Sequence, residues 1–355
     1  MAKIHIDVMD QTAPQVRSIE TPIDEEKAED FNLERELRLL HRTMAVFGMY
    51  FAPKTPGSSR GLRDVITRYS QQLYCIVIQV LLWLNGFRLI ISFWFGDELC
   101  LDPKFTPIKI MMCAWCFQCA LNNSIWYHLC STRKLHHLFR YWQERCQSSN
   151  ASRMMGTCME VSWIRRRIRL ISGGCIAVTV FNSMIFVFTR FGPFEALAND
   201  TCPIVAPFPK GHYFWETTFV VIQTYASCAF MLPVGLFLII CIIINRQFEM
   251  FTERFKKCIN YDGAAKLCLA MLRRQHQYLA KAVLIADNAF SFYLAVTITA
   301  TLFIACFGMY QVVIAQNFES VMTLAIIVFW MVIVSMIFGI IGIFASQVYD
   351  KVSRR

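Results

Sequence analysis

Uninterrupted apolar runs of twenty residues or more recur along this chain and are separated by polar segments. Six runs are long enough for a helix to cross a bilayer, which takes about 20 residues. In hydrocarbon a helix pairs every backbone group within its own segment. The pattern therefore predicts an all-α, polytopic membrane helical bundle. Its six spans are 73–95, 107–130, 170–191, 216–244, 283–310 and 321–345.

The polar segments divide the chain into a tail at 1–72, a transmembrane helical domain at 73–345 and a stub at 346–355. Within the tail, residues 31–51 predict an amphipathic helix, because apolar residues recur at helical spacing between charged ones. Its apolar stripe is Leu33, Leu37, Leu40, Met44 and Phe47. We expect this helix to lie at the inner membrane interface or to pack under the bundle.

A second polar segment, 245–281, also has a helical pattern. Its first residues continue the fourth span without a turn signal, residues 260–263 form the turn, and the rest leads into the fifth span. Two long helices would then project from the membrane as a stalk suited to subunit contact.

The Lys and Arg residues are unequally distributed between the loops. Thirty of the 35 lie in the tail, in 131–169, in 245–281 and in the stub, whereas the three alternate loops hold Lys104, Arg190 and Lys210. Because cytoplasmic loops are enriched in Lys and Arg, both termini are predicted to be cytoplasmic in a multi-pass plasma-membrane protein. Much of the net charge of +10 is thus explained by topology. It does not imply nucleic acid, whereas the basic loops are expected to touch anionic membrane lipid.

Two features of the loops assigned to the outside agree with this orientation. Asn199 begins a glycosylation sequon, which predicts a glycoprotein. Cys100 and Cys202 are the two cysteines in these loops, and the outside is oxidising. We predict that they form a disulfide between the first and second outer loops, the alternative being two unpaired thiols.

Charged residues make up 17% of the chain and hydrophobic residues 56%. No phosphate-binding Gly-rich loop, acidic pair or nucleophile elbow is present, so we expect neither an enzyme nor a cofactor. Cys113, Cys116 and Cys119 recur every three residues in the second span. We interpret them as ordinary apolar thiols rather than a metal site.

Polar side chains within spans usually face the bundle interior or water. The polar residues within the predicted spans include Arg88, Gln118, Asn122, Asn123, Asn182, Gln223 and Asn288. Many are expected to form hydrogen bonds between helices. Arg88 either extends toward the outer interface or lines a water-filled cavity.

Three features carry a resemblance to a known family. Residues 39–53 (LLHRTMAVFGMYFAP) precede the first span and end near a phenylalanine-glycine-x-aromatic-x-x-proline pattern, and the topology is inverted with a basic second cytoplasmic loop. Residues 272–279 (LRRQHQYL) run into 287–294 (DNAFSFYL) at the start of the fifth span. In these features the chain resembles the invertebrate gustatory-receptor-like chemoreceptors, the insect taste-receptor superfamily. The resemblance covers about residues 33–350, and a nematode member is expected.

This resemblance implies a chemosensory receptor of the ligand-gated cation channel type, assembled as a homo- or hetero-tetramer of receptor subunits. Its pocket would lie in the outer half of the bundle and hold a small organic molecule, although some nematode relatives respond to short-wavelength light or peroxide. An aromatic-lined cavity with few polar groups suits small-molecule recognition. Residues at that depth are Arg88, Cys113, Asn182, Phe186, Gln223, Phe303, Phe307 and Tyr310.

The resembled family has seven spans, and its seventh carries a threonine-tyrosine-hydrophobic signature and lines the pore. The sequence ends at Arg355, after the sixth predicted span. The expectation is a chain that keeps the pocket and lacks the pore helix, as an isoform, an incomplete sequence or a non-conducting modulatory subunit.

The sequence opposes two other classes of membrane protein. A G-protein-coupled receptor has its N-terminus outside, which the distribution of Lys and Arg opposes. A transporter predicts repeated broken helices near the membrane midplane, and Pro233 in the fourth span has no counterpart.

The predicted topology is tested by glycosylation and protease protection. We expect Asn199→Gln to abolish a glycan-dependent gel shift, and terminal tags to be protected from protease added outside intact cells. Asn150→Gln is the matched control, since its sequon lies in a loop assigned to the cytoplasm. A glycan at Asn150, or cleavage of either tag outside, would contradict the orientation.

Overall fold

The structure, a computed structural model, describes residues 33–51, 62–95, 105–147, 161–192, 212–259, 265–313 and 321–353. Regular structure in these residues is entirely helical, which confirms the predicted all-α class. The α-helices are α1 Leu33–Glu36, α2 Arg38–Val46, α3 Leu62–Ile91, α4 Thr106–Ser131, α5 Lys134–Tyr141, α6 Val161–Phe191, α7 Tyr213–Ile259, α8 Ala265–Val313 and α9 Val321–Ser353. A π-helical turn, Trp142–Gln147, continues α5.

Five of these helices are long and apolar enough to cross a membrane. The segments are Tyr69–Ile91 of α3, Ser162–Phe191 of α6, Tyr213–Lys256 of α7, Leu269–Val313 of α8 and Val321–Asp350 of α9. Helix α4 has 26 residues, which is sufficient length, but polar residues such as Lys109, Gln118 and Asn122 lower its mean hydropathy. The span predicted at 107–130 therefore stays a prediction.

Helices α7 and α8 extend well beyond the apolar runs 216–244 and 283–310. Helix α7 has 47 residues, about 70 Å at 1.5 Å per residue, and continues through Asn245 to Ile259. The backbone hydrogen-bond ladder does not stop where hydropathy falls, so helix length exceeds span length. The predicted turn at 260–263 lies outside the described residues.

Among the five apolar helices, α7 has the most buried apolar window. Of its most apolar window 94% is buried, against 28% for the corresponding window of α8 and of α9. Helix α6 packs closely on it: a Cβ built at Gly235 would lie 2.7 Å from Cys175 Sγ. A side chain at position 235 would therefore force α6 and α7 apart.

The amphipathic segment packs against the bundle. Leu33, Leu37, Leu40 and Met44 are at most 3% exposed and belong to the main core cluster. The single helix predicted over 31–51 is instead divided: ψ at Leu37 is 0°, which interrupts the helix for one residue, and α2 ends at Val46.

Gly48 gives a physical reason for the glycine of the 39–53 motif. Its φ is +70°, a left-handed conformation in which glycine has no steric penalty. A Cβ at this position would also lie 2.9 Å from Ile78 of α3. The turn after α2 therefore depends on glycine both for its backbone conformation and for its close approach to α3.

His41 of α2 is buried between aromatic rings. It stacks on Tyr50 with ring centroids 4.4 Å apart and contacts Phe139 of α5 at 5.5 Å. Burial lowers the pKa of His41 to about 4, because the charged imidazolium loses its hydration.

Stability is therefore expected to fall as the pH falls below the ordinary histidine value. Above about pH 6.5, His41 is neutral in both the folded and the unfolded chain. Between about pH 6.5 and 4, only the unfolded chain takes up the proton, so the free energy of unfolding decreases, by about 2 kcal/mol at about pH 5. We expect His41→Phe to remove this loss in thermal unfolding in detergent.

The control is His128→Phe, because His128 is exposed. If His41→Phe lost as much melting temperature on acidification as the unmodified chain and the control, His41 would not be the titrating group.

Candidate functional site

Five helices converge on a cavity of about 60 Å³ in the bundle interior. The lining side chains are predominantly apolar and aromatic. They include Met111, Met112 and Trp115 of α4, Val178, Asn182 and Phe186 of α6, Ser227, Phe230 and Met231 of α7, Ile304 of α8, and Trp330, Met331, Ile333 and Val334 of α9.

The cavity lies well inside the bundle. Asn182 is nine residues before Phe191 at the end of α6, and Trp330 is nine residues after Val321 at the start of α9. Nine residues of helix correspond to about 14 Å. The cavity is therefore about half a hydrocarbon thickness from these helix ends.

One hydrogen-bonded chain crosses this apolar lining. The Trp330 indole Nε1 donates to Asn182 Oδ1 at 2.8 Å, and Asn182 Nδ2 donates to Ser227 Oγ at 2.6 Å. Ser227 Oγ in turn donates to the carbonyl oxygen of Gln223 at 2.8 Å. Three helices, α6, α7 and α9, are thereby joined by polar groups, and Asn182 bonds to both Trp330 and Ser227.

Phe186 is the centre of the aromatic part of the wall. Its ring centroid lies 6.3 Å from that of Trp115, 5.8 Å from that of Trp330 and 5.9 Å from that of Phe219. Offset and edge-to-face aromatic pairs of this kind stabilise one another beyond their burial. The wall is thus rigid on the side of Phe186.

Methionine side chains make another part of the wall adaptable. Met111, Met112, Met231 and Met331 all line the cavity, and an unbranched thioether with three rotatable bonds fills irregular space. A volume of about 60 Å³ is small beside the roughly 300 Å³ or more of sites for drug-sized ligands. A larger ligand therefore requires these side chains to rearrange.

A narrower space continues toward the helix ends beyond Phe186 and Trp330, which line both cavities. It is flanked by the Phe219 ring, which has the Arg88 guanidinium on it at 5.4 Å and the Arg190 guanidinium at 5.9 Å. Cations over a ring face are attracted by its quadrupole. This end of the site therefore carries two guanidinium groups, and Glu216 interacts electrostatically with Arg190.

The predicted pocket residues divide according to helix phase. Asn182 and Phe186 line the cavity. Cys113 and Phe307 are partly buried against the cluster that contains Phe186. Arg88 and Gln223 are buried, at 8% and 0% exposure, but are not among the lining residues.

Phe303 and Tyr310 are 45% and 52% exposed and point away from the cavity. Ile304 lines it instead, because adjacent residues of a helix are about 100° apart. Asn199, Cys100 and Cys202 lie outside the described residues. Within the part of the chain that the structure describes, no three His, Cys, Asp or Glu side chains form a group that could hold a metal ion.

Sequence reasoning missed Ser227 and Trp330 as site residues. Trp330 carried a signal, since it lies deep in its span rather than at an interface. Ser227 carried none, because a single serine in an apolar run is ordinary. Only the packing of α6 and α9 on α7 brings Asn182 between them.

Asn182→Leu is expected to destabilise the fold by about 1–2 kcal/mol, because it leaves the Trp330 indole N–H and the Ser227 hydroxyl without this partner. A double-mutant cycle with Trp330→Phe, measured by thermal unfolding in detergent, should give an interaction energy of about 1 kcal/mol.

The matched control is Ser183→Ala, whose hydroxyl bonds within its own helix to the Thr179 carbonyl. Equal destabilisation by Asn182→Leu and Ser183→Ala, or strict additivity with Trp330→Phe, would contradict the hydrogen-bonded chain.

No protein-family model matches the sequence, and no curated protein matches it. The fold is similar to that of the insect olfactory receptor OR5 from Machilis hrabei, with a TM-score of 0.68 and 14% sequence identity. The match covers 91% of this chain and 82% of the OR5 chain. This chain therefore shares its helical architecture with an insect olfactory receptor.

Proposed function

We propose that this protein is a chemosensory receptor of the ligand-gated cation channel type, of the gustatory kind. The observation that carries the proposal is the interior cavity built by five helices, in an architecture shared with an olfactory receptor. The motifs at 39–53 and 272–294 support the gustatory assignment by resemblance.

The proposal includes α4 as a sixth span despite its polar residues. This part of the proposal is supported by hydrogen bonds between α4 and its neighbours. Gln79 of α3 donates to Ser124 Oγ at 2.8 Å, and Gln118 donates to Thr301 Oγ1 of α8 at 3.3 Å. Polar side chains that bond to neighbouring helices are tolerated inside a membrane bundle. Low hydropathy is then compatible with a buried crossing.

Orientation in the plasma membrane with the N-terminus in the cytoplasm is also part of the proposal. It rests on the thirty-to-three distribution of Lys and Arg between the two sets of loops. The cavity then lies about 14 Å below the outer ends of α6 and α9, and a stimulus from outside approaches it from those ends.

The chemistry of the cavity defines the ligand class. Mostly apolar walls with one hydrogen-bonded chain suit a small organic molecule that carries a single polar group. Such a ligand would exchange a hydrogen bond with Asn182 while its apolar part contacts Phe186. Light or peroxide, which the family resemblance also allows, brings no apolar group to contact Phe186, so a dose response that depends on Phe186 favours an organic ligand.

Assembly as a homo- or hetero-tetramer of receptor subunits is part of the proposal through the family resemblance, and the apolar surface of the outer helices can face either lipid or another subunit. Only 28% of the most apolar window of α8, and of α9, is buried. The long α7 and α8 extend past their apolar runs and provide a further surface for subunit contact.

The experiment is whole-cell recording during application of a panel of small organic stimuli. The protein is expressed in cells that lack relatives, alone and with a seven-span relative. We expect a stimulus-evoked cation current, or a changed current of the partner, whose half-maximal concentration shifts about tenfold in Phe186→Ala. Ser183→Ala serves as the control and should stay within about twofold.

A stimulus response that passes through a second messenger with no accompanying current would overturn the channel proposal in favour of a G-protein-coupled receptor. An unchanged dose response in Phe186→Ala would overturn the assignment of the cavity as the ligand site.

A further inference from the structure

Another cavity, of about 450 Å³ and separate from the two described above, lies where α5 passes α8. Its wall carries five basic side chains from the turn after α4 and from α5: Arg133, Lys134, His136, His137 and Arg140. None of the described residues that line it is acidic. The cavity is therefore suited to an anion with more than one negative charge.

The basic side chains are held in place by core packing. Leu135, Leu138 and Phe139 of α5 are buried, so Lys134 and Arg140 lie on the opposite, exposed face. Arg133 has φ +58°, a left-handed conformation that turns the chain sharply from α4 into α5. The arrangement of the cations thus follows from the fold rather than from a random charged surface.

Helix α8 extends the basic wall. Ile285 and Asn288 line the cavity, and Lys281 precedes them at i−4 and i−7, which is the same helix face. Lys281 Nζ lies 5.7 Å from the Tyr141 ring centroid, which holds this side chain against α5. A further cation therefore stands at the end of the cavity farther from the apolar run of α8.

Little negative charge competes for these cations. The ion pair found at the wall joins Arg140 Nε to Glu144 Oε1 at 3.8 Å, with both side chains more than half exposed. Such a solvated pair contributes little free energy. An incoming phosphate would therefore displace it at small cost.

The depth of the cavity matches a membrane surface. Ala289, which lines it, is 24 residues before Val313 at the far end of α8, or about 36 Å, and the hydrocarbon core is about 30 Å thick. The basic wall then lies at the headgroup level of one leaflet. By the distribution of Lys and Arg this is the inner leaflet, which is rich in anionic lipid.

An apolar surface leads from the cavity into the membrane. Phe292, one turn beyond Asn288 on α8 in the direction of Val313, is 65% exposed. Acyl chains attached to a bound headgroup can lie along this face. A soluble phosphate has no acyl chain to contact this apolar surface.

We propose that this cavity binds the headgroup of a polyphosphorylated anionic phospholipid of the inner leaflet, with the acyl chains lying along α8. Basic pockets between membrane helices at the cytoplasmic side are a recurrent form of such sites. The proposal does not depend on the channel function, but it does use the predicted orientation.

The test is a binding titration of the purified full chain in detergent. The probe is fluorescent dioctanoyl phosphatidylinositol 4,5-bisphosphate, followed by anisotropy. We expect saturable binding to the unmodified chain, and a Kd raised at least about tenfold by Lys134→Gln combined with Arg140→Gln, since each basic residue at such a surface contributes about 1 kcal/mol.

The matched control is Arg166→Gln combined with Arg169→Gln. It removes the same charge from exposed positions of α6 that do not line the cavity, and its Kd should stay within about twofold of the unmodified value. Equal weakening by the two double variants would show non-specific attraction and overturn the proposal, as would absence of saturable binding. Unchanged melting temperatures verify that all variants fold.

Competition distinguishes a lipid from a soluble source of phosphate. Inositol 1,4,5-trisphosphate and inorganic phosphate should each require concentrations at least about tenfold higher than unlabelled dioctanoyl lipid, because they lack the acyl contribution of about 0.8 kcal/mol per buried CH₂. Displacement at equal concentration would overturn the lipid assignment in favour of a soluble phosphate ligand.

Discussion

Buried polar side chains of a helical bundle need hydrogen-bond partners on neighbouring segments, and this constraint bears most on α4. Lys109 and Gln118 of this helix are at most 3% exposed, and they donate to the Ser92 carbonyl oxygen at 2.8 Å and to Thr301 Oγ1 at 3.3 Å. Helix α4 is accordingly well buried. It packs between α3 and α8, whose polar side chains meet Ser124 and Gln118. The apolar faces of α3, α8 and α9 are left to cover the outside.

The central position of α7 follows from the same arrangement. Helices α6, α4, α8 and α9 all contact α7, and their meeting point leaves the cavity beside Asn182. One amide then joins α6, α7 and α9 through Trp330 and Ser227. A ligand that alters this chain of hydrogen bonds acts on three helices at once, which is a physical route from occupancy of the cavity to a change in helix packing.

The segment before the first span packs into the core despite its charged residues. Its apolar stripe, which includes Leu37, Leu40 and Met44, enters the main core with Leu135 and Leu138 of α5. The same packing that buries His41 against Phe139 fixes α5 and turns its basic face outward. Helix α5 therefore packs against the N-terminal segment with one face and lines the basic cavity with the other.

Local properties of the sequence determined the helical class, five of the apolar spans and the asymmetry of charge, because hydropathy and periodicity act over neighbouring residues. They did not reveal the turn at Gly48, which ends the segment predicted as one helix over 31–51. Tertiary packing alone decided which side chains meet. Asn182, Ser227 and Trp330 come together from three separate helices, whereas Phe303, chosen for its ring and depth, faces outward because α8 is rotated so that Ile304 faces the cavity. The phase of a largely apolar helix is not encoded in its own hydropathy: α8 and α9 are apolar on every side, and contacts with distant helices select the buried face.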